Sequence, residues 1–199
     1  PKGKAMNKHF LFLSTSPLGK KDFEDALKGA GIPTEGLFYQ SPVEGDLVLP
    51  SAYYAAISSI LLPLREDLRG SLVFLCSHAG DTLSKKLLKD AMAYFPNQAV
   101  FPTDVIMKQM SFLDYSSFPL LSSLFKDIDR ELLLTAGTYL RCGLDASLAA
   151  KELFIHRNTF SYRLNAFIEK TDLDIRDYHN ALLLELYFQL SSMPRGERN

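Results

Sequence analysis

The sequence predicts an α+β fold in two parts, an α/β sandwich followed by an all-α unit. Three observations carry this. Short apolar runs alternate with amphipathic stretches as far as residue 102. From about Thr103 onward no stretch reads as a strand. To the end of the chain, apolar residues then recur at helical spacing. The chain has 199 residues, 47% hydrophobic and 12% aromatic, so it can build a core and is not a disordered polymer. That length suits one or two domains of roughly 100–150 residues.

In the first half, His9–Thr15 (HFLFLST) is a short apolar run ended by Ser-Pro and reads as a buried strand. KKDFEDALKGA (Lys20–Ala30) puts Phe23, Ala26 and Leu27 on one helical face, and Gly29 and Gly31 end it. Gly36–Tyr39 and Asp46–Leu49 are two short strands joined by a turn-like SPVEG, hence a hairpin. Ser51–Leu68 reads as a longer helix with Ser51 as its cap, and Pro63 is expected to kink it or end it early. SLVFLC (Ser71–Cys76) is a buried strand, Asp81–Phe95 an amphipathic helix, and Gln98–Phe101 one more strand. Strand, helix, hairpin, helix, strand, helix, strand is the order of a βαββαβ, ferredoxin-like sandwich with an added α–β unit. These elements define an α+β domain over residues 6–102, a helical connector over 103–126 and a third segment over 127–192.

In that third segment, Asp127–Cys142 is a helix ended by Gly143. Asp145–Phe154 is a short helix with an apolar side of Leu148, Ala149, Ala150 and Leu153. A tight connection at Phe154–Ile155 leads into Arg157–Lys170, which buries Phe160, Leu164, Phe167 and Ile168. The last helix, Asp177–Ser191, is so apolar that it must be packed on most sides. The stretch FIHRNTFSYRL sets a dense group of donors beside the dry face: His156, Arg157, Asn158, Thr159, Ser161, Tyr162 and Arg163. Two short helices with a tight turn, the second carrying Arg and Asn at its start, is what a helix-turn-helix needs. Arg can bridge a guanine edge and Asn an adenine edge, hydroxyls can hold phosphates, and the free N–H groups of the helix start favour anions.

The residues Leu132–Leu190 also resemble the C-terminal DNA-binding domain of PucR/CdaR-type bacterial transcriptional regulators. The resemblance rests on Ala150, Leu153–Thr159 and Tyr162–Leu164, and on Thr171, Leu173 and Asp174. It implies binding of an operator in double-stranded DNA through His156, Arg157, Asn158, Thr159, Ser161, Tyr162 and Arg163, by a homodimer. It further implies that residues 6–102 are a regulatory or dimerising module, a degenerate relative of the GGDEF fold, answering to an unidentified small-molecule effector. Two departures stand out. Ser161 occupies a place where the family often has Arg, which removes one contact. Asp172 replaces a frequent Gly, which bears on how the recognition helix stops.

Other functions find little support. A GGDEF hairpin needs a glycine pair; SPVEGD (Ser41–Asp46) lacks it, and Glu44 and Asp46 read as a solvated turn. SPLGKKD has no Walker spacing. Cys76 and His78 have no third partner, His9 and His179 look isolated, and Asp22, Glu24 and Asp25 form a solvated helix face. The expectation is therefore a non-enzyme without cofactor or metal. Cys76 and Cys142 are read as buried, reduced thiols. No apolar run suits a signal peptide or a membrane span, so the expected location is the cytoplasm. Pro1–Ala5, ahead of Met6, read as vector-derived residues or as an internal cut from a longer chain. The formal net charge is −1 and the C-terminal segment is not basic overall, so a monomer should bind DNA weakly. The alternative is a protein-interaction or small-ligand sensor module whose helix-turn-helix is a scaffold that does not bind DNA.

Overall fold

The structure, a computed structural model, describes residues 7–67 and 70–193. It is a mixed α+β protein that divides into two compact units, Pro1–Phe112 and Leu113–Asn199. Pro1–Ala5 and Leu68 lie outside the described residues.

The first unit contains β1 (Asn7–Ser14), α1 (Lys20–Gly29), β2 (Leu37–Tyr39), β3 (Glu44–Pro50), α2 (Tyr54–Asp67), β4 (Leu72–Ser77), α3 (Thr82–Tyr94), β5 (Ala99–Val100) and α4 (Pro102–Met110). The strands form one sheet in the order β2-β3-β1-β4-β5. β1 lies in the middle, antiparallel to both β3 and β4, while β5 runs parallel to β4. The pleat sorts the side chains. Phe10 and Phe12 of β1, Leu47 and Leu49 of β3, and Leu72 and Phe74 of β4 share one face, where Phe23 and Leu27 of α1 and Ile57, Ile60, Leu61 and Leu64 of α2 cover them. Leu11, Val73 and Leu75 point the other way and are equally buried, because α3 lies along β1 and β4 with Leu83, Leu87, Leu88 and Ala91 inward. The added α–β unit thus supplies a third layer. All six residues of β4 are buried, as its unbroken apolar run requires when both faces are covered.

Gly45 carries the hairpin. It stands opposite Phe12, and a Cβ there would lie 2.3 Å from the Phe12 ring and 2.4 Å from the Phe38 carbonyl oxygen. The missing side chain lets Phe12 meet Tyr39, Phe23 and Phe74 at ring distances of 5.9, 5.2 and 5.8 Å.

Several local expectations change. Ser51 does not cap a helix; Ser51–Tyr53 is a 3₁₀ turn, and α2 starts at Tyr54 and continues through Pro63 to Asp67. Asp46 is not part of a solvated turn, nor is His9 isolated: the two lie diagonally across β1 and β3, with Nδ1 of His9 2.5 Å from Oδ2 of Asp46. A pair 37 residues apart in sequence leaves no local pattern to read. His78, just past the end of β4, lies 3.9 Å from Asp81. The stretch expected to be a connector begins with α4, which packs on α3; Pro102 fits its first turn, and Asp104 accepts a 2.8 Å bond from the Phe101 N–H.

The second unit contains α5 (Phe118–Ser123), α6 (Arg130–Arg141), α7 (Ala146–Glu152), α8 (Arg157–Thr171) and α9 (Tyr178–Ser192). Its core is aromatic. Phe125, just after α5, lies parallel to Phe167 of α8 at 6.3 Å and meets Tyr187 of α9 at 4.4 Å. Leu183, Leu184, Leu186 and Leu190 bury most of α9.

Candidate nucleic-acid interface

The placement of α8 begins at the end of α6. The N–H of Gly143 donates to the Leu140 carbonyl and that of Leu144 to the Tyr139 carbonyl, a Schellman ending with Gly143 in the left-handed conformation (φ 64°). Asp145 then starts α7. Its carboxylate accepts from the N–H groups of Ser147 and Leu148 at 2.7 and 2.9 Å, and these bonds hold its pKa below the ordinary aspartate value. Ala149 and Ala150 are buried, small enough for α7 to lie close against α6 and α8. Leu148, expected on the same apolar side, is instead 51% exposed.

α7 ends by the same device as α6. The Phe154 N–H donates to the Lys151 carbonyl and the Ile155 N–H to the Ala150 carbonyl, both at 3.0 Å. Here the left-handed residue is Phe154, with φ 54°. His156 follows as the cap of α8, its Nδ1 accepting from the Asn158 N–H at 3.2 Å, which requires an unprotonated Nδ1. The sequence showed His156 as a donor in a cluster; its geometry adds a capping role that no capping rule signals.

Along α8, Phe160 and Phe167 are fully buried and Leu164 nearly so, with Phe160 against Tyr139 of α6 at 5.7 Å. Ile168 is only half-buried. Arg157, Asn158, Thr159, Ser161 and Tyr162 are all exposed, Tyr162 by 74%. Arg163 differs: its guanidinium is ion-paired with Glu131 of α6 and mostly covered. At the far end Lys170 reaches Asp129 at 2.5 Å, and that ammonium lowers the Asp129 pKa. Asp172 stops the helix in the left-handed conformation (φ 54°, ψ 21°), taking the backbone role that a glycine would fill.

The electrostatics are unusual for a surface rich in donors. Residues 127–192 hold seven Lys and Arg against ten Asp and Glu, a formal charge of −3. Four of the seven are ion-paired: Arg141 with Glu152, Arg163 with Glu131, Lys170 with Asp129 and Arg176 with Asp174. Arg130, Lys151 and Arg157 carry no ion pair among the described residues.

Residues 132–190 match the family described as the PucR C-terminal helix-turn-helix domain. That segment belongs to this family. The PucR helix-turn-helix domain therefore comprises most of α6, all of α7 and α8, and α9 nearly to its end. Over 92 residues, 45% of this chain, the protein is 33% identical to the proline-responsive transcriptional activator PutR of Bacillus subtilis (strain 168), covering 22% of that relative. Over 67 residues, 33% of this chain, it is 40% identical to the carbohydrate diacid regulator of Escherichia coli (strain K12), covering 17% of it. The matches thus span about a fifth of the length of these curated relatives. A crystal structure of a regulator of polyketide synthase expression from Bifidobacterium adolescentis aligns over 96% of this chain and 84% of its own, with 17% identity and a TM-score of 0.46. Among the described residues no helix is long and apolar enough to cross a membrane.

Proposed function

We propose that this chain is part of a sequence-specific transcription regulator and that the first turns of α8 enter the major groove of operator DNA. The observation that carries the reading is the division of α8 itself. Its buried side is fixed by Phe160, Leu164 and Phe167, and its free side presents Arg157, Asn158, Thr159, Ser161 and Tyr162. Arg157 and Asn158 would read base edges, and the hydroxyls of Thr159, Ser161 and Tyr162 would hold phosphates. His156 caps the helix that carries them, and Arg163 braces it against α6.

The regulatory or dimerising role falls to the first unit, as a degenerate relative of the GGDEF fold. Its strand order and antiparallel pairing about β1 support that reading, as does a β2–β3 hairpin without a glycine pair. An acidic domain with three unpaired cations supports a homodimer on two half-sites, since one copy offers few phosphate contacts. Two relatives are named for proline and for carbohydrate diacids, which supports a small organic effector; binding to operator DNA would place the chain in the cytoplasm.

The test is fluorescence polarisation with promoter fragments at two salt concentrations. Specific binding should disappear in Arg157→Ala/Asn158→Ala while helicity and melting temperature stay nearly unchanged. With three unpaired cations per copy, log affinity against log salt should fall with a slope no steeper than about 3 per copy. The formal charge of −3 favours a second reading, a sensor module whose helix-turn-helix does not touch DNA. It predicts no specific binding and no salt dependence.

A further inference from the structure

Phe154 is the most exposed large apolar side chain of the described residues, at 95%, and it also occupies a left-handed backbone conformation. Neither feature helps folding. An exposed ring gains nothing from burial, and a left-handed backbone is unfavourable for a residue with a Cβ. α6 solves the same chain reversal with Gly143. The Schellman bonds of α7 need only the backbone of residue 154, so the ring has no part in ending the helix.

We infer that Phe154 is a specificity-determining residue that sets its ring against a thymine methyl at the edge of the operator half-site. This rests on the DNA-binding reading above. The left-handed turn projects the ring out from the domain, and three residues later Arg157 begins α8. Consecutive Cα atoms are 3.8 Å apart, so Phe154 lies within about 11 Å of Arg157 along the chain, a span of about three base pairs. A duplex whose base edges meet Arg157 and Asn158 therefore brings neighbouring major-groove methyl groups within reach of an outward phenyl ring. A thymine methyl is the apolar group that such a ring can recognise there.

The test begins by selecting a duplex from a random pool with the whole chain. Phe154→Gly, Phe154→Asn and Phe154→Tyr are then titrated against it. Glycine and asparagine suit the left-handed backbone, so melting temperature should hold or rise in both variants while affinity falls severalfold. Tyrosine keeps the ring and should retain binding. Replacing each thymine of the duplex in turn by deoxyuridine removes one methyl. At one position it should weaken the wild-type chain about fourfold, the worth of one buried methyl, and leave Phe154→Gly unaffected. Equal affinity of wild type and Phe154→Gly for the selected duplex overturns the assignment and leaves DNA binding standing. So does uniform insensitivity to deoxyuridine, or loss of binding through dissociation into monomers in sedimentation. Failure to enrich any duplex overturns both.

Discussion

Arg163 of α8 is tied to Glu131 of α6 by an ion pair, although its neighbours Ser161 and Tyr162 stand free. The guanidinium is mostly covered while Glu131 is 61% exposed, so the pair braces the two helices from the edge of the domain. Surface pairs of this kind contribute about 0–1 kcal/mol. Glu131→Gln should therefore reduce stability by no more than that. It should also release Arg163 toward phosphate, tightening DNA binding at low salt and steepening the salt slope by about 1. Titration at several salt concentrations, paired with a urea melt, measures both effects. An unchanged slope would place Arg163 out of reach of DNA.

Phe125 holds the second unit together from outside its four longer helices. It is 1% exposed and touches both the Phe167 and the Tyr187 ring. Phe125→Ala removes a buried ring from a close-packed site and should cost about 3–5 kcal/mol. A denaturant titration of the whole chain should show the second unit unfolding much earlier. A loss below about 1 kcal/mol would show that the site collapses around the gap.

Gly45 has the opposite sensitivity. Any Cβ there must displace the Phe12 ring or the Phe38 carbonyl. The Phe12 ring is fully buried among other aromatic rings and cannot swing away. Gly45→Ala should destabilise the first unit by about 1–3 kcal/mol. Near-ultraviolet circular dichroism, which reports the packing of the rings, should lose intensity in parallel.

Acid should weaken the second unit. Asp145 is held below the ordinary aspartate pKa by the Leu148 and Ser147 N–H groups, and Asp129 by Lys170. A carboxyl whose folded pKa is depressed contributes stability above its unfolded pKa of about 3.9 and loses it as pH falls through the folded value. Melting temperature should be flat toward neutral pH and fall below about pH 4, with Asp145→Asn showing a smaller acid response. An identical acid profile in that variant would show that the cap bonds do not couple to folding.

The helices of the second unit were legible in the sequence because their apolar residues repeat and their ends carry Asp or Gly. Asp145, Gly143 and the Phe160–Leu164–Phe167 stripe all stand where periodicity puts them. The donor cluster was legible as a cluster. What stayed hidden was that Arg163 is held back from the cluster, because Glu131 lies 32 positions before it and no local pattern links them. Phe154 was hidden for another reason: apolar residues are read as core, and only backbone geometry shows this one turned outward. In the first unit the strands were visible as apolar runs. The His9–Asp46 pair and the layer formed by α3 follow from strand order, which no single segment encodes.

The four ion-paired cations of residues 127–192 would have a consequence for how the proposed regulator finds its target. Attachment to arbitrary chromosomal DNA is almost wholly a matter of neutralised phosphates. As a DNA-binding segment, residues 127–192, of formal charge −3 and with three cations outside any ion pair among the described residues, would hold on briefly wherever they landed. The regulator's search of the genome would proceed by repeated short visits through solution rather than by long slides along the duplex, and its residence time would be set by the few side chains that recognise bases.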